Sequence, residues 1–184
     1  VEYTGNIGRH AEALAKTGLR CVFAAWVRDS ENVPGPLSPE GLARSETPRF
    51  SAKLRHEGLQ RISALFAKWH GANGGRTAVF PAAALSETSS PELLQAVRAF
   101  AEKHDLGYTI HLSQSRAEVD FMVRHHGIRP PAYLDRHGFL GPGHAVDIAG
   151  TLDHIVLVRR VGPAPMSGAA ADDRHALEGR DPLA

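Results

Sequence analysis

The sequence predicts an α/β fold in which parallel strands are flanked by outer helices. Apolar residues switch repeatedly between helical spacing and short strand-like runs, the connections between them are short, and no short internal repeat points to a solenoid. Strand, helix, strand, helix in this rhythm is the pattern of parallel βα units.

Ala11 to Leu19 reads as a helix closed by Gly18, and Arg20 to Val27 (RCVFAAWV) as the buried strand that follows it. A loop rich in Pro, Gly and Ser is expected from Asp29 to about Pro48, with Pro34, Pro36 and Pro39 as breakers. Phe50, Leu54, Leu59, Ile62, Leu65, Phe66 and Trp69 then recur at helical spacing, and Gly71 to Gly75 (GANGG) ends that helix. Arg76 to Pro81 is the next expected strand. Ser90 is a natural N-cap, Pro91 suits the first helical position, and Leu93, Leu94, Val97, Phe100 and Ala101 form an apolar stripe that stops near Gly107. Tyr108 to Leu112 (YTIHL) reads as a strand. Ser115 with Glu118 has the form of a capping box opening a helix through Met122 and Val123 that closes at Gly127. A short helix Pro131 to His137, a Gly-rich turn, a weaker strand Ala145 to Ala149, a helix-like stretch Leu152 to Arg160 and a strand-like Val161 to Pro165 complete the expected order. From about Ser167 the apolar periodicity is lost, as in a disordered tail.

The chain has 184 residues, enough for a real core but short of the roughly 250 that an eight-stranded β/α barrel typically needs. It begins at Val1, and Val1-Glu2-Tyr3-Thr4 reads like a strand end with no segment before it, so an incomplete chain is the expectation. Lys plus Arg is 21 against 20 for Asp plus Glu, a balance that offers no electrostatic footprint for nucleic acid or an anionic membrane. A small-molecule substrate is the better match, and a homo-oligomer is compatible with it. The single Cys21 has no disulfide partner within the chain, which fits a reducing, cytoplasmic setting. No stretch reaches the ~20 apolar residues of a membrane-spanning helix.

Side chains alternate along a strand, so Tyr108, Ile110 and Leu112 share one face of their strand, and Thr109, His111 and Ser113 share the other. With the large apolar face toward the helices, His111 points the other way from near the strand's C-terminal end, where β/α enzymes build their sites. From the residues alone it reads either as a zinc ligand or as a core histidine hydrogen-bonded to a neighbour. Asp29, at the end of its strand, is read as forming the strand-exit turn, with a substrate contact as the alternative. His125-His126 ends a helix, where a cationic side chain meets the helix dipole. Gly71 to Gly75 lacks the Lys-Ser/Thr ending of a phosphate loop, and Asp172-Asp173 with His175 lies in the aperiodic tail.

The run Tyr108 to Pro131 (YTIHLSQSRAEVDFMVRHHGIRPP), followed by Tyr133-Leu134 and Gly138-Phe139-Leu140-Gly141-Pro142, resembles the amidohydrolase superfamily, in its branch of cytosine, adenosine and guanine deaminases and chlorotriazine hydrolases. Thr17-Gly18-Leu19-Arg20, Gly75-Arg76 with Pro81, Ser90-Pro91-Glu92-Leu93-Leu94 and Pro165-Met166-Ser167 stand in the order that this branch shows. The resemblance covers roughly Val1 to Ser167 and is specific between Gly107 and Pro142. It implies one partial metal-dependent-hydrolase TIM-type (β/α) barrel domain over residues 1–167, with a tail over 168–184. It further implies a zinc or other divalent-metal cofactor and hydrolysis of C–N bonds in a heterocyclic or amidine substrate by a metal-activated water.

Carried over residue by residue, the resemblance makes His111 the metal ligand of the fifth barrel strand. Gln114 falls where the deaminases usually carry a proton-shuttling Glu; its amide neither gains nor loses a proton near neutral pH, but can orient substrate by hydrogen bonds. His144 is the candidate for the sixth-strand ligand: against the usual Ala-His context, either it is displaced or that ligand is lost. The family's His-x-His pair has no match in the chain and its last-strand Asp would lie beyond it, so the chain by itself is expected to be inactive. Two other readings come from different classes: a catalytically inactive barrel descendant serving as a binding or structural module, and a complete small doubly wound α/β domain.

Overall fold

The computed structural model describes residues 7–33, 35, 37–140 and 155–159. Strands β1 (Cys21–Val27), β2 (Thr77–Leu85), β3 (Tyr108–Leu112) and β4 (Ile155–Arg159) form one sheet in the order β1-β2-β3-β4. β1 and β2 run parallel, from Cys21 opposite Thr77 to Val27 opposite Ala83. β2 and β3 also run parallel, from Ala82 opposite Thr109, with a bulge between Ala83 and Leu85. Helices connect these strands: α1 (Ile7–Ala15) before β1, α2 (Pro39–Ala43), α3 (Ala52–Trp69) and the helical turn α4 (Ala72–Gly75) between β1 and β2, and α5 (Pro91–Lys103) between β2 and β3. After β3 come α6 (Arg116–His126) and α7 (Pro130–Arg136).

Local chemistry explains most of these boundaries. The Ser51, Ser90 and Ser115 hydroxyls accept from the amides of Leu54, Leu93 and Glu118, satisfying orphan donors at the starts of α3, α5 and α6. Gly127 ends α6 at φ 72°, a left-handed turn that costs glycine no Cβ clash. The strand expected to stop at Pro81 runs on to Leu85, because Pro81 precedes Ala82, where pairing with β3 begins, and its missing N–H costs no bond to β3.

Alternation divides each strand between two layers. Phe23, Ala25 and Val27 of β1, Val79 and Ala83 of β2, and Tyr108, Ile110 and Leu112 of β3 enter one apolar core with Ile62, Leu93, Leu94, Val97, Phe121, Met122, Tyr133 and Phe139 from the helices and the residues after them. α3 packs on β1 and β2, and α5 on β2 and β3. Tyr108 is fully buried in this layer, and its hydroxyl donates to the Phe139 carbonyl at 2.6 Å. The core therefore lies between the sheet and the helices.

Four further expectations are corrected. Within the stretch Leu152 to Arg160, expected to be helix-like, Ile155–Arg159 is strand β4. It lies antiparallel to β3, with His111 opposite Val156, so the sheet is mixed and not wholly parallel. Ile155, Val156 and Val158 are β-branched, which disfavours a helix, and the β3 edge supplies the partner that a lone strand lacks. The supposed loop from Asp29 to Pro48 contains α2, capped by Ser38, whose hydroxyl accepts from Gly41 N. The first helix starts earlier and ends earlier than its apolar pattern suggests, at Ile7 and Ala15. The expected strand Ala145–Ala149 and the tail over 168–184 lie outside the described residues.

Candidate active site

His111 is the penultimate residue of β3 and is buried, 8% exposed. Because Ile110 and Leu112 enter the helical core, Thr109 and His111 face the opposite side of the sheet, as expected from the sequence. The register sets His111 beside Leu85 at the C-terminal end of β2. The Thr109 hydroxyl is buried on that same face with no hydrogen-bond partner among the described residues.

Ser113 turns the chain sharply after β3. Its φ is 53°, a left-handed conformation that costs a non-glycine residue of order 1 kcal/mol. The Glu118 carboxylate holds this turn: one oxygen accepts from Ser113 N at 3.0 Å and the other from Gln114 N at 2.7 Å. The first of these oxygens also accepts from the Ser86 hydroxyl at 2.6 Å. Ser86 opens the 3-10 turn Ser86–Thr88 that leaves β2, so one carboxylate joins the exits of β2 and β3. Gln114 thus has its backbone fixed beside the strand that carries His111.

Glu87 lies in the same 3-10 turn. It is fully buried, and neither carboxyl oxygen has a partner among the described residues. Burial, reinforced by the nearby Glu118, pushes its pKa up to about 8. Glu118 is also raised, burial outweighing the donors from Ser86, Gln114 and Ser113. Both carboxyls are thus held above their ordinary range, and it is Glu118 whose oxygens receive the donors that favour its charged form. Sequence reasoning read Glu118 only as a helix cap and missed Glu87, whose one local signal is a carboxyl placed two residues after a strand end.

Asp29 is a structural junction, as its place at a strand exit suggests. It is fully buried and accepts from Ser90 N and Arg55 Nη1, so the exit of β1 is tied to the starts of α3 and α5. His125 lies in the last turn of α6, its ring nitrogen 3.1 Å from the Ser45 hydroxyl. A cavity of about 390 Å³ between the β1–α3 connection and α6 is lined by Asn32, Val33, Leu37, Arg44, Ser45 and Phe121, with neither His111 nor Gln114 in its wall. His144 lies outside the described residues. Among the described residues no group of three or more His, Cys, Asp or Glu side chains is placed to hold a metal ion, so His111 alone of the candidate ligands is in view.

No protein-family model matches the chain. It is 33% identical over 132 residues to a 5'-deoxyadenosine deaminase of Methanothermobacter thermautotrophicus, covering 72% of this chain and 26% of that protein. It is 31% identical over 156 residues to a 5-methylthioadenosine/S-adenosylhomocysteine deaminase of Nitratidesulfovibrio vulgaris, covering 83% of this chain and 31% of that protein. Among solved structures, a zinc-bound adenosine deaminase from Xanthomonas campestris superposes with a TM-score of 0.56 at 18% identity, over 77% of this chain and 27% of that one. A triazine hydrolase from Arthrobacter aurescens does so at 0.57 and 17% identity, over 72% and 27%. At these identities the superpositions speak for the fold. The chain spans from about a fifth to a third of the length of these curated relatives.

Proposed function

We propose, for a chain that belongs to the deaminase and chlorotriazine-hydrolase branch of the amidohydrolase superfamily, that it supplies part of a metal-dependent hydrolase acting on C–N bonds of a small heterocyclic or amidine substrate. In this reading residues 1–167 are a sector of a β/α barrel. The side of the sheet facing away from the helices is the barrel's inner wall, and the C-terminal strand ends are its catalytic rim. The single observation that carries the proposal is the place of His111, penultimate in β3 with its ring opposite the helical core and next to the held turn at Ser113 and Gln114.

His111 contributes one neutral imidazole donor to a zinc or other divalent ion. The remaining donors come from outside the described residues, His144 among them. Such a metal, when bound, supplies an activated water and polarises the group under attack. Gln114 orients the substrate through its amide, which both donates and accepts hydrogen bonds but carries no proton to the leaving group. Adenosine-type compounds are the first substrates to try, since the relatives named above are deaminases of that class.

The test measures metal content and turnover together on protein expressed from the complete coding sequence. About one zinc per chain and ammonia release from 5'-deoxyadenosine or methylthioadenosine are expected, with both lost in His111→Ala. Full zinc and unchanged turnover in His111→Ala would remove the residue from the metal site and leave it a core histidine.

A further inference from the structure

We infer that Glu118 is a positioning residue for the candidate site, its carboxylate fixing the turn that carries Gln114 away from His111. The inference rests on the functional reading above and adds to it a residue that the sequence pattern marks only as part of a capping box.

A capping box needs much less than is present. In that motif the carboxylate at the third helical position reaches back to the amide of its own N-cap, here Ser115, and caps the helix start. Glu118 reaches beyond the helix to the amides of Gln114 and Ser113, at 2.7 and 3.0 Å. It also accepts from Ser86, 32 residues earlier in the chain, at 2.6 Å. Bonds to an ionised acceptor are the stronger kind, and this carboxylate is 1% exposed, so water does not compete for it. What they hold is a backbone that resists its conformation, since Ser113 sits at φ 53°. A left-handed serine directly after a strand sets where the next side chain, Gln114, projects.

Glu87 is the second buried carboxyl beside Glu118. Its oxygens receive no donor among the described residues, so the donors of the pair fall on Glu118 and favour its charged form, while burial raises the pKa of Glu87. Ser86 and Glu87 are consecutive in the turn after β2, so the same turn supplies Glu118 with a donor and with a neutral neighbour. The exits of β2 and β3 are thereby locked together at the level of Leu85 and His111, which are register partners.

The test is Glu118→Gln, which keeps shape and removes charge, in protein expressed from its complete coding sequence. Hydrogen–deuterium exchange read by mass spectrometry is expected to speed up about tenfold in peptides covering residues 113–115, with β3 and the body of α6 unchanged. In turnover assays the double variant Glu118→Gln, Gln114→Ala is expected to be no slower than Gln114→Ala alone, because a residue acting through Gln114 has nothing left to position. Faster exchange along the whole of α6 would reduce Glu118 to a helix cap, and additive losses in the double variant would overturn positioning through Gln114. If the parent protein turns over no adenosine-type compound, the functional reading fails, while the exchange arm still decides whether the carboxylate holds the turn.

Discussion

The Asp29 carboxylate accepts both the backbone N–H of Ser90, at 2.9 Å, and its hydroxyl, at 2.5 Å, across 61 residues of sequence. The same Ser90 oxygen accepts from Leu93 N at the start of α5, and Arg55 of α3 donates to Asp29 at 2.8 Å. A strand exit and two helix starts therefore meet on one buried carboxylate.

Removing that carboxylate takes the nearest acceptor from the Arg55 guanidinium and the acceptor of both the Ser90 N–H and its hydroxyl. Asp29→Ala is expected to destabilise the fold by on the order of 3 kcal/mol, the range for breaking a buried ion pair from one side. Asp29→Asn, which keeps the shape, is expected to cost less. Urea unfolding of the two variants against the parent measures the difference, and equal midpoints for all three would show the junction to be energetically idle.

Glu87 makes stability fall with rising pH. Its folded pKa is near 8 against an ordinary 4.5, so between those values the unfolded chain has released a proton that the folded one keeps. The stabilisation is full below about pH 4.5, drains away as pH rises toward 8, and changes no further above that. Glu87→Gln is expected to flatten this part of the profile and to melt higher than the parent at pH 8.5. Melting temperature measured from pH 5 to 9 decides it, and parallel profiles would assign the slope to other groups.

His126 acts on the acid side. Its Nε2 is buried with no partner among the described residues, and its ring lies 4.8 Å from that of Tyr133. Burial, then the charges of His125 and His137, depress its pKa below the usual 6.5. A base with a depressed folded pKa costs stability as pH falls below its unfolded value, because only the unfolded chain takes up the proton. His126→Phe is expected to raise the melting temperature at pH 5.5 and to leave it nearly unchanged at pH 7.5. An equal shift at both values would point to packing and not to protonation.

Gly58 marks the tightest helix–strand approach. A Cβ there would stand 1.8 Å from Val27 Cγ2, so α3 can lie against β1 only with a hydrogen at this position. Gly58→Ala is expected to cost about 2 kcal/mol or more by overpacking. Adding Val27→Ala should restore part of that loss, since the two changes share one space. Denaturation of both variants tests the coupling, and strict additivity would place the clash elsewhere.

The residues alone determined the elements whose signals lie within a few positions of one another. Ser90-Pro91, Ser115 with Glu118, and Gly127 mark helix ends because an orphan amide or a left-handed turn is satisfied locally. The alternation in Tyr108–Leu112 likewise placed His111 opposite the core before any contact was known. α2 escaped notice because five residues are too few to show a period in a Pro- and Gly-rich stretch. Only the tertiary structure decided that Ile155–Arg159 is an antiparallel strand, since the β3 edge that stabilises it lies far away in sequence. The same holds for Glu87 and Glu118. Nothing local in either residue announces a raised pKa, because their burial and mutual field arise only when the turn after β2 is packed against the start of α6.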